Sequence, residues 1–365
     1  MAAEMYWKYP KEKIVGFYRA FRPTLVVRDP EIVKRILTTD FIHFYSRGIN
    51  VHKKIIEPML RNLFFADGDV WRLLRQRMTP AFTSGKLKAD SLNDENSAFR
   101  QLGAKVFTPT AKKLVIGMLK LIFPELFKYA KTQGEVEADI VPLVKEILKQ
   151  RNYQPSGRND IIDLLLECKA KGTIVGESIQ HFKPDETPEI VKLELDDFLA
   201  KHGNKMSYDA IKEMTYLECA FKEGMRMFPS LGFLIRQCVS KYTIPEIEVT
   251  IDPGVQILIP IQALQNDPQY FANPEQFRPE RFLPEEFDSH NKYVYLPFGL
   301  GPRACIGEQL GLMQSLAGLA AVLCCCSVEP GPTTIRNPKI DPRSGIVQSI
   351  KGGLPLLFRK REIKN

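Results

Sequence analysis

The chain has 365 residues and little of what usually marks a metal or disulfide site. Its five histidines are scattered, and two of them, His43 and His52, share a polar loop, so a histidine metal centre is not expected. The seven cysteines (168, 219, 238, 305, 324, 325 and 326) form no C-x-x-C pair and no zinc spacing. Three of them are adjacent in an apolar run, which speaks against a disulfide framework and for a reducing compartment. No internal repeat or low-complexity tract is evident. No basic stripe interleaves with aromatics, so nucleic acid is not expected as a partner despite the formal net charge of +8. That excess reads as a solvated basic surface; a face for an acidic protein or an anionic membrane is the functional alternative. The opening run AAEMYWKYPKEKIVGFYRA is too polar to cross a bilayer, so neither a signal peptide nor an anchor is read there. Leu310 to Val328 is uncharged and long enough to raise the question of a span. Leu312, Leu316, Leu319 and Leu323 lie in it at helical spacing, which suits a buried core helix better.

The most informative segment is F-G-L-G-P-R-A-C-I-G, Phe298 to Gly307. It places Cys305 in a glycine-bounded loop, with Arg303 two residues before it and a helix-like apolar run after it. Glycine lets backbone approach a flat group closely. Backbone N–H groups and the positive end of a following helix favour a thiolate. An arginine meets a carboxylate well. Two rival readings stay open on these letters. Gly299 to Ala304 fits G-x-G-x-x-A, after the apolar run YVYLPF and with Glu329 near the spacing of a ribose-binding acid; only 36 residues follow Glu329, too few for the strand–helix units such a sheet needs. The bland alternative is a buried cysteine in a tight turn.

The rest of the chain reads as mainly α with a minor β-sheet part, and with 44% hydrophobic residues it can bury a large core. IVGFYRAFRPTLVVRD reads as two strands about a turn at Pro23. PEIVKRILTTDF reads as a short helix with proline in its first turn. Asp69 is a candidate cap for a helix carrying Trp71 and Arg75 and ending at Pro80. Trp71 and Arg75, four apart, share a face. KVFTPTAKKLVIGMLKLIFPELFKYAKT reads as a helix pair broken at Pro124. Ser207 is a candidate cap for the helix carrying Glu223 and Arg226, which Pro229 ends. These two residues also share a face; spacing alone favours an exposed ion pair. RQCVSKYTI, VTIDPGVQILIPI and SIKGGLPLLFRK read as short strands.

The pattern F-x-x-G-x-R-x-C-x-G, met at Phe298, Gly301, Arg303, Cys305 and Gly307, resembles the haem-thiolate loop of the cytochrome P450 family. Four further elements follow in that family's order: W-R-L-L-R (Trp71 to Arg75), E-G-M-R (Glu223 to Arg226), Arg236 seven residues after Pro229, and P-E-R-F (Pro279 to Phe282). The resemblance implies a single P450-like domain over residues 1–365 holding haem b. Cys305 would be the axial ligand of the iron, and Phe298 would shield its sulfur. Trp71, Arg75, Arg236 and Arg303 would hold the propionates. Glu223, Arg226 and Arg281 would form a structural network. The implied activity is monooxygenation of an apolar small molecule at the endoplasmic reticulum membrane surface, with electrons from NADPH through NADPH–cytochrome P450 reductase. The cysteine loop and the lysine-rich helix pair look similar to insect detoxifying members, the pair resembling the family's lid.

The chain departs from the family pattern in one respect. No A-G-x-[DE]-T match, the acid–threonine element of the distal helix, occurs anywhere in it. TPEIVKLELDDFLA looks like the start of that helix and gives way abruptly to KHGNKMSYDAIKEM, so a seam is expected near Ala200–Lys201, and a second near Ala89–Asp90. No catalytic residue is therefore assigned. A haem protein without monooxygenase turnover, an isomerase-like relative, and a non-enzymatic fragment remain as alternatives.

Overall fold

The computed structural model describes residues 1–50, 57–83, 110–155, 214–287, 292–335, 338–341 and 347–360, with residues 105, 162, 163 and 166 besides. The Ser207 cap, both seams and the run TPEIVKLELDDFLA lie outside the described residues.

Helix α1 (Ala2–Lys8) precedes a hairpin of β1 (Ile14–Arg19) and β2 (Arg22–Val27). The turn falls at residues 20 and 21, with Ala20 at φ 54°, and not at Pro23 as the sequence implied. Pro23 instead pairs with Tyr18 inside the hairpin. The strand tolerates it because the second neighbour of β2 joins only from Thr24 onward, so no ladder bond is asked of the missing N–H. That neighbour is β6 (Gln256–Ile259), parallel to β2 and antiparallel to β3 (Leu234–Gln237), giving the order β1-β2-β6-β3. All four residues of β6 are buried, as a continuous apolar run in a central strand should be. Two smaller pairs stand apart: β4 (Tyr242–Ile244) with β5 (Val249–Ile251), and β7 (Cys326–Pro330) with β8 (Leu356–Lys360).

The core lies between the sheet and the segment after β2. Asp29 caps α2 (Pro30–Lys34) by accepting the Glu31 and Ile32 N–H groups at 2.9 and 3.1 Å, with Pro30 in the first turn as expected. The helix widens into a turn over Arg35–Thr39. Ile32, Val33, Ile36 and Leu37 pack with Val26, Ile257 and Ile259. Tyr6 closes the far side: its hydroxyl donates to Asp267 at 2.7 Å, and the Arg28 guanidinium lies 4.2 Å over its ring.

Helix α3 (Gly68–Thr83) runs three residues past Pro80, where the sequence implied an end. It begins at Gly68, so Asp69 lies inside its first turn and Asp67 stands before it. Thr110 caps α4 (Ala111–Ile122), which stops before Pro124 as expected, and α5 (Gly134–Gln150) follows. Helix α6 (Thr215–Met227) and the short α7 (Ile261–Leu264) flank the sheet segment.

The apolar helix α8 (Glu308–Cys325) corrects a further expectation. Only Leu316 and Ala320 are buried in it, and Leu319 is 39% exposed. Its sequence has no polar face, so nothing confines burial to one stripe. The helix meets α3, α6 and β7. It is the one helix among the described residues long and apolar enough to cross a membrane by length and composition.

A buried carboxylate ties the α4–α5 pair to the rest. Glu57 accepts the Gln133 N–H at 2.6 Å and the Thr132 hydroxyl at 2.8 Å, and Lys120 lies at 3.5 Å. Burial alone would raise its pKa; these donors outweigh it and hold the carboxyl below its ordinary 4.5. A depressed carboxyl stabilises the fold above its unfolded pKa and loses that contribution as pH falls through the folded value. Glu57→Ala is expected to remove about 1.5–3 kcal/mol of local stability, read as faster amide exchange over residues 134–137. The wild type should show the same loosening below about pH 4.5. Equal exchange in both proteins at neutral pH would show that the contact holds nothing.

Candidate functional site

The site is built from two buried charge clusters joined by the loop of Cys305. The first sits on α6. Glu223 and Arg226, three apart on one face, are both fully buried, where spacing alone favoured exposure. The pair is bidentate: Arg226 Nε donates to Glu223 Oε2 at 2.7 Å and Nη2 to Oε1 at 3.0 Å. Arg226 also donates to the Gln265 and Pro274 carbonyls at 2.8 and 2.6 Å. Glu223 Oε1 accepts from Arg281 Nε at 3.3 Å and from the Arg278 N–H at 3.0 Å. A buried ion pair is tolerable only when its remaining donors and acceptors are met in this way.

Gln265 passes this rigidity on. Its amide nitrogen donates to the Met225 and Arg226 carbonyls, both at 3.1 Å, and its oxygen accepts the Leu296 N–H at 2.9 Å. Tyr295 adds a bond from its hydroxyl to the Lys222 carbonyl at 3.1 Å. The backbone two residues ahead of Phe298 is thus pinned to α6.

From there the chain turns into the cysteine loop. The Cys305 N–H donates to the Phe298 carbonyl at 2.8 Å, which closes the loop. Gly301 has φ +73°, and a Cβ there would fall inside van der Waals contact of the Leu37 carbonyl oxygen. Only glycine lets the loop lie this close to the turn after α2. Cys305 is exposed, so the bland reading of a buried cysteine does not hold. YVYLPF forms no strand in its described part, which removes the context that the dinucleotide fingerprint needs. Gly307 stands at the start of α8, whose positive end is three residues from the sulfur.

The second cluster is cationic. Arg303 is buried, lies 4.4 Å over the Trp71 ring, and donates through Nη2 to the Ala66 carbonyl and to Asp67 Oδ1, both at 2.8 Å. Arg75 Nη1 donates to the Ala304 carbonyl at 2.8 Å, so α3 grips the loop next to the sulfur. Arg236, on β3, is buried and donates to the Ile235 carbonyl at 2.8 Å. Among the described residues, Arg303 Nε and Nη1 and Arg236 Nε are buried and meet no acceptor. Burial, then Arg47, pushes Arg303 down to about 9, against the pull of Asp67. Burial, then Arg47 and Arg303, pushes Arg236 well below the ordinary arginine range. Orphaned guanidinium N–H groups are costly in a low dielectric. Two carboxylates arriving from outside the chain would satisfy them, which is the donor chemistry that haem propionates require.

The structure brings Phe298, Gly301, Arg303, Cys305, Gly307, Trp71, Arg75 and Arg236 around one loop, and sets Glu223, Arg226 and Arg281 behind it as a separate network. Two residues of the cluster were not legible. Arg47 lies with its guanidinium 4.2 Å over the Phe64 ring; burial pushes it down to about 10, and Arg236 feels it as a neighbouring cation. Asp67 meets both Arg303 and Arg47. The only sequence signal for Asp67 is the D-G step ahead of α3.

A family model described as Cytochrome P450 matches residues 2–99 and 182–356. The chain belongs to the cytochrome P450 family. Cytochrome P450 6B2 of Helicoverpa armigera is 32% identical, over 97% of this chain and 86% of its own length. Cytochrome P450 6B7 of the same organism is 31% identical over 99% and 88%, and Cytochrome P450 6d1 of Musca domestica 29% over 88% and 82%. The first of these alignments runs over 440 positions, more than the chain's 365 residues, so that relative carries segments with no counterpart here. P450s are haem-thiolate monooxygenases with haem as cofactor, in a mainly α fold with a small sheet part.

Removing the carboxylate of Glu223 leaves two buried guanidinium groups without their counter-charge. Glu223→Ala is expected to cost about 3–5 kcal/mol in denaturant unfolding and to abolish haem incorporation. A purified Glu223→Ala protein with full haem content would contradict this.

Proposed function

We propose that this P450 holds its haem iron through Cys305 and inserts one oxygen atom of O2 into an apolar small molecule, with electrons from NADPH delivered by NADPH–cytochrome P450 reductase at the endoplasmic reticulum membrane. The single observation that carries the site assignment is the exposed Cys305 beside a buried arginine cluster with unmet N–H groups. When bound, haem supplies the dioxygen chemistry, and the axial ligand tunes it. Arg303, Arg236 and Arg75 bind and orient its carboxylates. Trp71 braces the Arg303 guanidinium through its ring face. The start of α8 lies three residues from the Cys305 sulfur, and Phe298, whose carbonyl accepts the Cys305 N–H, would shield that sulfur beside bound haem. Glu223, Arg226 and Arg281 keep the loop in register and take no part in the chemistry.

Proton delivery is where the chain differs. The sequence has no A-G-x-[DE]-T element, and the residues at the expected seams are not described. The surplus alignment length supports missing segments somewhere in the chain without placing them. This favours a second reading, a haem-binding protein without monooxygenase turnover. That only Leu316 and Ala320 are buried in α8 favours a third, a fragment that does not hold its cofactor.

The reduced carbon-monoxide difference spectrum separates the three when paired with turnover. The proposal expects a thiolate-type Soret band in the wild type, lost in Cys305→Ser, and product that requires both NADPH and reductase. The band without product would support the second reading. No haem absorbance in either protein would support the third.

A further inference from the structure

Asp67 is the carboxylate that meets the arginine cluster. Its Oδ1 accepts from Arg303 Nη2 at 2.8 Å and from the Arg47 backbone N–H at 3.1 Å. Its Oδ2 accepts the Ser46 hydroxyl at 2.8 Å. Its carbonyl accepts the Trp71 N–H at 3.3 Å, and Gly68 turns at φ +59° directly after it. One residue therefore gathers three chain segments. These are the loop with Ser46 and Arg47, the first turn of α3 with Trp71, and the cysteine loop through Arg303. By holding Nη2 of Arg303, Asp67 fixes the plane of that guanidinium. Nε and Nη1 are left without an acceptor among the described residues. Asp67 is also partly open to solvent (31%), while Arg303 is not (0%).

We propose that Asp67 is a positioning residue for the cofactor: it orients the Arg303 guanidinium toward the haem carboxylates, anchors the backbone of the loop that carries Arg47, and sets the net charge at that edge of the ring. This rests on the reading of the cluster as the place where haem carboxylates bind. The two parts of the role separate chemically. Asp67→Asn keeps an oxygen acceptor for Arg303 and Arg47 and loses the charge. Asp67→Ala loses both.

The test uses the holoprotein and reads haem retention, by transfer to apomyoglobin, and the reduction potential, by spectroelectrochemical titration. Asp67→Ala should lose haem about 10- to 100-fold faster than wild type, the range expected when a partner that orients a ligand-holding group is removed. Asp67→Asn should retain haem like the wild type, and its potential should shift positive, because one negative charge has left the ring edge and the reduced iron is favoured. Wild-type retention in Asp67→Ala, or an unchanged potential in Asp67→Asn, overturns the proposal. Should Asp67→Ala fail to fold by circular dichroism, the potential of Asp67→Asn still decides. A parallel arm uses haem dimethyl ester, whose carboxylates are neutral. A wild type that held the ester as firmly as haem would overturn the carboxylate reading of the cluster itself. A wild type that discriminates, with Asp67 variants that do not differ from it, would overturn only the role of Asp67.

Discussion

The carboxylate of Glu223 is the constraint on which the cysteine loop depends. It sits fully buried between Arg226 and Arg281, and it also accepts the Arg278 N–H. Arg226 Nη1 and Nη2 and Arg281 Nη2 also donate to backbone carbonyls, and one of those carbonyls belongs to Gln265. Gln265 then holds Leu296. The geometry at Cys305 is thus set by one continuous scaffold of α6, the segment at 265 and the loop.

Charge is buried here in two contrasting ways. The α6 network is closed: its carboxylate and guanidinium groups satisfy one another, and nothing from outside is called for. The cluster of Arg303, Arg236 and Arg47 is open. Its one carboxylate neighbour, Asp67, leaves guanidinium N–H groups facing no acceptor among the described residues. A closed network rigidifies, whereas an open one in a low dielectric favours an anionic guest. The two kinds lie on either side of the same loop: the closed network stiffens it from behind, and the open cluster is where the proposed function seats the cofactor's carboxylates.

Much of this was legible in the sequence where the chemistry demands particular residue types at fixed spacing. The loop from Phe298 to Gly307, the Trp71–Arg75 face and the Glu223–Arg226 face are of that kind, because glycine, cysteine, arginine and glutamate have few substitutes there. The proline in the first turn of α2 and the break at Pro124 were readable from local backbone physics alone; the Asp29 cap was not read. What escaped was set by tertiary partners. The turn lies at residues 20 and 21, and Pro23 is tolerated within β2 because β6 joins only from Thr24 onward. Helix α3 passed Pro80, and Asp67 displaced Asp69 at its start because Ser46, Arg47 and Arg303 converge there. The glutamine at 265 carried no signal, since its value lies in three backbone groups that only the fold brings together. Helix α8 was read as buried from the helical spacing of its leucines, yet spacing says nothing of which neighbours are on hand to cover it.

The central claim is a bond between the Cys305 sulfur and the haem iron, and X-ray absorption at the iron edge of the purified holoprotein tests it most directly. One sulfur scatterer in the first shell, absent from the Cys305→Ser protein, is the predicted result. A first shell of nitrogen and oxygen alone in the wild type, or a sulfur that persists without Cys305, would contradict it.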